Sequence, residues 1–234
     1  MRTRLALSVA AALAAAIAPL GLAAPASAGP VFHLVFNGRV AIGSWTTCPQ
    51  PKLGDTCLDT VVIASDAKSY ENSDQPTGGH FLHSKGDRVT LRHFWYTITE
   101  FEGDLFPQTT KESFGGTDVG VSVSITNRLT KASAVAPSIP MRTFDYVNDT
   151  ETEETGSVSV TWQPAGPLEP VREGGRTSTR DYLMKFSTKG WSRMATAGGT
   201  DGGAPIAGSV FQSETVMYSV RQAELSVYKG RPAG

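Results

Sequence analysis

The chain has 234 residues, with 21 Lys and Arg against 22 Asp and Glu and a net charge of −1. That length supports one sizeable core or two small ones. No Lys/Arg block supplies the footprint that a phosphate backbone requires, which excludes nucleic acid as a partner. After residue 28 no apolar run approaches the ~20 residues of a membrane span, and no motif calls for a cofactor.

Met1–Ala28 opens with Arg2 and Arg4, continues through an Ala/Leu/Ile/Val stretch and ends Ala26-Ser27-Ala28. A basic start, a short apolar middle and a small-residue end are the features of a cleaved signal peptide. The expectation is a secreted, extracellular chain whose single domain spans 29–234. Two cysteines in an exported chain are expected to pair, so Cys48 and Cys57 form a disulfide across the loop that holds Pro49, Pro51 and Gly54.

Val31–Phe36, Asn37-Gly38 and Arg39–Trp45 read as strand, turn and strand, because Asn-Gly accepts positive φ at both positions. Leu58–Ser65 is a further strand, and Asp66–Gly79 is polar and rich in turn formers. Phe81–Ser84 and Arg88–Ile98 read as a hairpin around Lys85-Gly86-Asp87, with Val89, Leu91, His93 and Trp95 on one face. Asp118–Asn127 alternates strictly, with Val119, Val121, Val123 and Ile125 together. Thr130–Ala136 has room for one helical turn before Pro137 and Pro140. Residues 138–156 read as a long loop or a seam between halves. Gly156–Gln163 alternates again through Val158, Val160 and Trp162, and Pro164, Gly166 and Pro167 stop it. Arg180–Phe186, Gly190–Ala197, Ser209–Gln212, Val216–Val220 and Ala223–Tyr228 complete the strands. Short alternating segments separated by Gly, Pro, Asp and Asn imply an all-β fold: an antiparallel β-sandwich or flattened barrel with Greek-key-like connections.

Few residues carry chemistry by their spacing. In one register of the expected hairpin His80 lies opposite His93, close enough for two imidazoles to share a metal. The acid of Asp145, Asp149 and Glu151 offers oxygens to a calcium ion, without the loop grammar of an EF-hand. No Gly-x-Ser-x-Gly elbow is present, and no pair of carboxylates is selected for glycoside chemistry. Trp191 and Tyr96 are candidate stacking surfaces, and Arg176 is a candidate clasp for an anion. The reading is a non-catalytic binding or structural module that presents loops or a sheet face to an extracellular ligand or protein. The competing reading is an extracellular hydrolase, directed at carbohydrate or ester, on the same scaffold. The oligomeric state is left open.

Overall fold

The structure, a computed structural model, describes residues 30–74, 80–81, 86–178 and 182–229. The expected leader, residues 1–28, therefore lies outside the described residues. Every described element is a strand, and all of them join one antiparallel sheet. The long strands are β1 (Pro30–Thr46), β2 (Thr56–Asp74), β4 (Gly86–Phe101), β5 (Asp104–Thr117), β7 (Ala132–Asp145), β8 (Thr150–Ser178), β9 (Tyr182–Asp201) and β12 (Val216–Lys229). The short ones are β3 (His80–Phe81), β6 (Ser122–Ile125), β10 (Ala204–Pro205) and β11 (Ser209–Val210).

β1 pairs with β12 along one edge and with β2 along the other. The long strands thus close into a ring, β1-β2-β4-β5-β7-β8-β9-β12, in chain order. The all-β, antiparallel, barrel-like expectation holds. The Greek-key-like connections do not: each long strand lies beside the next long strand in sequence, so the path is an up-and-down meander.

Eight strands leave an interior that side chains can fill. The inward positions are Ala41 and Trp45 on β1, Val62 and Ala64 on β2, Val89 and Leu91 on β4, Val158, Val160 and Trp162 on β8, with alanines on β7 and β9. Trp162 is fully buried among them. The outward positions of β8, Ser159, Thr161 and Gln163, are exposed and polar. On β8 that is the reverse of the pattern of a lipid-facing strand. No helix among the described residues is long and apolar enough to cross a membrane.

One end of the barrel is plugged. β6 pairs with the start of β7, and Ile125 and Leu129 enter the core beneath it. Arg39 donates to the Ile125 carbonyl and to Asp66, and the Asp87 carboxylate accepts the Val123 N–H at 2.7 Å. These contacts satisfy buried polar groups that a closed floor would otherwise strand.

Several expected breaks are bends instead. Asn37-Gly38 is a bulge inside β1, not a hairpin turn. A Cβ on Gly38 would lie 2.4 Å from the Asp66 carbonyl oxygen, so the close approach of β2 requires glycine. Residues 164–168 of β8 and 220–222 of β12 are likewise irregularities within continuous strands. A bulge interrupts alternation without ending pairing. Residues 138–156 are not a long loop either: they are the ends of β7 and β8, joined by a short turn at 146–149. The expected helical turn at Thr130–Ala136 enters β7, where it pairs with both β6 and β8.

Beyond the bulges the strands continue as a flare of β2, β1, β12, β9 and β8, with no β8–β2 pairing to close it. A second apolar cluster joins the flare to the barrel's outer face. It combines Val40, Ile42, Ile63, Val216 and Tyr218 from the barrel with Phe36, Ala223 and Leu225 from the flare. Val40 and Ile42 lie on the opposite face of β1 from Ala41, so this core is separate from the barrel interior.

Candidate functional site

The end of the barrel opposite the plug is an open mouth. The inward phase of β4 continues past Leu91 to His93 and Trp95. That of β5 brings Lys111 and Ser113, β7 supplies Thr143, β8 supplies Glu154, and β9 ends at Asp201. His93, Trp95, Lys111, Glu154 and Asp201, with Leu58 and Thr60 of β2, line a cavity of about 370 Å³, and Ser113 and Thr143 stand behind Glu154. Its volume falls at the lower end of the range for small-molecule sites.

The polar groups hold one another in place. His93 Nε2 lies 2.6 Å from Asp201 Oδ2. The hydroxyls of Thr143 and Ser113 both donate to Glu154 Oε1, Ser113 at 3.0 Å. Lys111 Nζ sits 4.8 Å from the centre of the Trp95 ring, a cation–π distance, and Trp95 lies 5.4 Å from the His93 ring. The Thr143 hydroxyl holds the Glu154 carboxyl below its ordinary range. The Ser113 hydroxyl and the charges of Lys111 and His93 add to that effect, and partial burial opposes it. Glu154 is thus a fixed carboxylate at neutral pH. The mouth presents charged groups of both signs, with His93, Asp201 and Glu154 engaged in hydrogen bonds.

Of the residues singled out in the sequence, His93 alone lies in this mouth. The expected pairing of His80 with His93 is corrected. His80 pairs with Asp74 of β2, whereas His93 lies between Thr60 of β2 and Ser113 of β5. β3 and β4 do not form the expected hairpin; both strands pair with β2 instead. Asp145 caps the β7–β8 turn, where it accepts the N–H groups of Val147 and Asn148 and the Asn148 side-chain amide. Asp149 takes the positive-φ position of that turn at 51°, and Glu151 lies 3.7 Å from Arg142. Among the described residues no three His, Cys, Asp or Glu side chains are grouped to hold a metal ion.

Tyr96 donates its hydroxyl to Asp59 at 3.1 Å on the outer face beside Cys57, its cross-strand partner. Burial raises the phenol above its ordinary range. This geometry ties two strands together rather than offering a free ring. Trp191 is partly exposed on β9 between Pro170 and Ser219. Arg176 is exposed opposite Lys185 at the flare's β8 edge. Neither reaches the mouth. Cys48 and Cys57 are disulfide-bonded.

Asp201, Glu154, Lys111, Ser113 and Thr143 carry a signal in the sequence that composition and motif do not. Glu154 is in phase with Val158 and Val160, and Asp201 is in phase with Ala195 and Ala197. A polar residue that continues an inward apolar phase beyond the core marks the mouth of a barrel.

No protein family, no curated protein and no solved structure matches the chain. The exported address is corrected accordingly. Residues 1–28 lie outside the described residues, and nothing that matches the chain supports a signal peptide or an extracellular location. The described residues form a disulfide-bonded, all-β chain.

Proposed function

We propose that the protein is a non-catalytic binding module that takes a small, uncharged, polyhydroxylated molecule at the barrel mouth. The observation that carries this reading is the preassembled set of donors and acceptors around the 370 Å³ cavity, above a fully packed apolar floor. A ligand that must replace water at fixed polar groups is bound best by groups that need no reorganisation. His93–Asp201 and Glu154 with its two hydroxyls hold one another, and Lys111 lies over Trp95 within the field of Glu154. The sugar-like class fits hydroxyls that both donate and accept.

The hydrolase alternative finds less support. A glycosidase acid needs a raised pKa, whereas Glu154 is held low. Ser113 and Thr143 donate to Glu154, whose lowered pKa makes it a weak base for activating a hydroxyl, so neither is poised as a nucleophile. The test is a titration of glucose, xylose and glycerol against the protein, followed by the NMR signals of the Trp95 indole and the His93 ring. Saturable shifts that weaken in Glu154→Gln support the reading. The absence of any shift, or release of nitrophenol from aryl glycosides or aryl esters above the buffer rate, overturns it.

A further inference from the structure

The barrel wall has a second opening on its outer side. The β5–β7 ladder stops at Gly115 and Met141. Pro140 and Pro137 lie just beyond it on β7 and lack the N–H that further pairing would use. β7 then changes partner to β6 at Val135. The gap between those two ladders lies beside a groove of about 510 Å³.

Its charges are uneven. Of the partly buried arginines, Arg39 is paired with Asp66, Arg92 with Glu112, and Arg193 donates to the Gly166 carbonyl. Arg88 has no partner among the described residues, and its Nε is buried without a hydrogen bond. The acids that line the same groove are already engaged. Glu153 lies 3.9 Å from Arg142, and Glu154 is turned to Ser113 and Thr143. A partly desolvated guanidinium with no counter-charge is costly, and a carboxylate matches its planar fork.

The rest of the groove is apolar and shaped by missing side chains. Phe114, Pro140 and Met141 form walls, and Phe114 is stacked on Phe144 at 5.9 Å. A Cβ on Gly116 would stand 3.4 Å from an Arg88 guanidinium nitrogen and 3.2 Å from the Thr90 hydroxyl. Glycine there leaves the approach to Arg88 open.

We infer that this groove binds a small carboxylic acid with an apolar body, its carboxylate on Arg88 and its body against Phe114 and Pro140. The inference is independent of the mouth. It rests on a partly buried guanidinium without a partner among the described residues, not on the hydrogen-bonded groups of the mouth.

Benzoate is the probe, with benzamide as its neutral counterpart, titrated by NMR and calorimetry against the whole chain. Benzoate is expected to bind and benzamide to bind at least about tenfold more weakly, the loss that follows from one charge-assisted contact. Arg88→Gln is expected to weaken benzoate by about tenfold or more, and Gly116→Ala to weaken it with Arg88 intact. Arg142→Gln, exposed and paired only loosely with Glu151 and Glu153, is expected to leave benzoate affinity within about twofold. Equal binding of benzoate and benzamide, unchanged affinity in Arg88→Gln, or no benzoate binding at all overturns the inference. If Arg88→Gln does not fold, Gly116→Ala and the benzamide comparison decide it.

Discussion

The same strands build two regions with different logic. In the barrel every long strand has neighbours on both sides, and the interior mixes large and small residues: Trp45, Trp162 and Leu91 fit among seven alanines at positions 41, 64, 132, 134, 136, 195 and 197. In the flare the sheet stays open, and β8 from Leu168 to Ser178 ends it. That edge carries Glu169, Pro170, Arg172, Glu173, Gly174, Gly175 and Arg176, residue types that discourage pairing with another strand. The comparison teaches that closure, more than strand length, divides the chain into a unit that holds as a whole and one that opens locally.

The largest expected effect lies in the barrel. Trp162→Ala removes a fully buried indole, and its destabilisation is expected at about 3–5 kcal/mol. Denaturant midpoints and hydrogen exchange should show it in every strand of the ring. Leu225→Ala in the flare core is expected to cost about 2 kcal/mol, with exchange accelerated in β12, β9 and the start of β1 first. A uniform exchange response to Leu225→Ala would break the distinction between the regions.

A smaller effect of opposite sign is expected at Tyr218. Its hydroxyl is buried in the flare-side core with no hydrogen-bond partner, and burial, with the charge of Glu173 adding, pushes the phenol well above its ordinary range. Tyr218→Phe keeps the ring and removes the stranded donor, so a stabilisation of about 1 kcal/mol is expected. Thermal melts of the two proteins measure it. Destabilisation would mean that the hydroxyl is satisfied by water and that the flare core is wetter than its packing suggests.

Much of this division was written in the sequence as local pattern. Val158, Val160 and Trp162 declare their inward face by alternation alone, and the structure keeps it. The Asn37-Gly38 and Pro164–Pro167 breaks mark the line where barrel becomes flare. Local turn chemistry cannot tell a bulge from a hairpin, because both use the same residues and differ only in what pairs beyond them. Val119 shows the limit from the other side: it continues a strict alternation yet is exposed in the turn between β5 and β6. The mouth was half legible. His93 and Trp95 share the phase of Leu91, but Asp201 reaches His93 from 108 residues away, a separation that alternation cannot bridge.

The smallest expected effects separate the regions by the sign of their response to acid. In the mouth, Glu154 is held below its ordinary range by Thr143. The unfolded chain therefore takes up this proton first, and the stability that Glu154 contributes at neutral pH is lost as the pH falls below about 4.5 through its folded pKa. In the flare, Glu173 is raised above its ordinary range by burial. There the folded chain takes up the proton first, so stability rises as the pH falls through the raised value toward about 4.5. Both groups remain largely in contact with solvent, so each slope is shallow. Glu173→Gln should stabilise the protein slightly at pH 7, with the difference from the parent closing by about pH 4. Glu154→Gln should lose stability at pH 7, with its deficit shrinking only below that point. Melting temperatures taken every half unit from pH 7 to pH 3 resolve the two windows. A deficit in Glu154→Gln that stays constant across the whole range would show that the Thr143 and Ser113 hydroxyls do not distinguish carboxylate from amide, and the contrast between mouth and flare would then rest on packing alone.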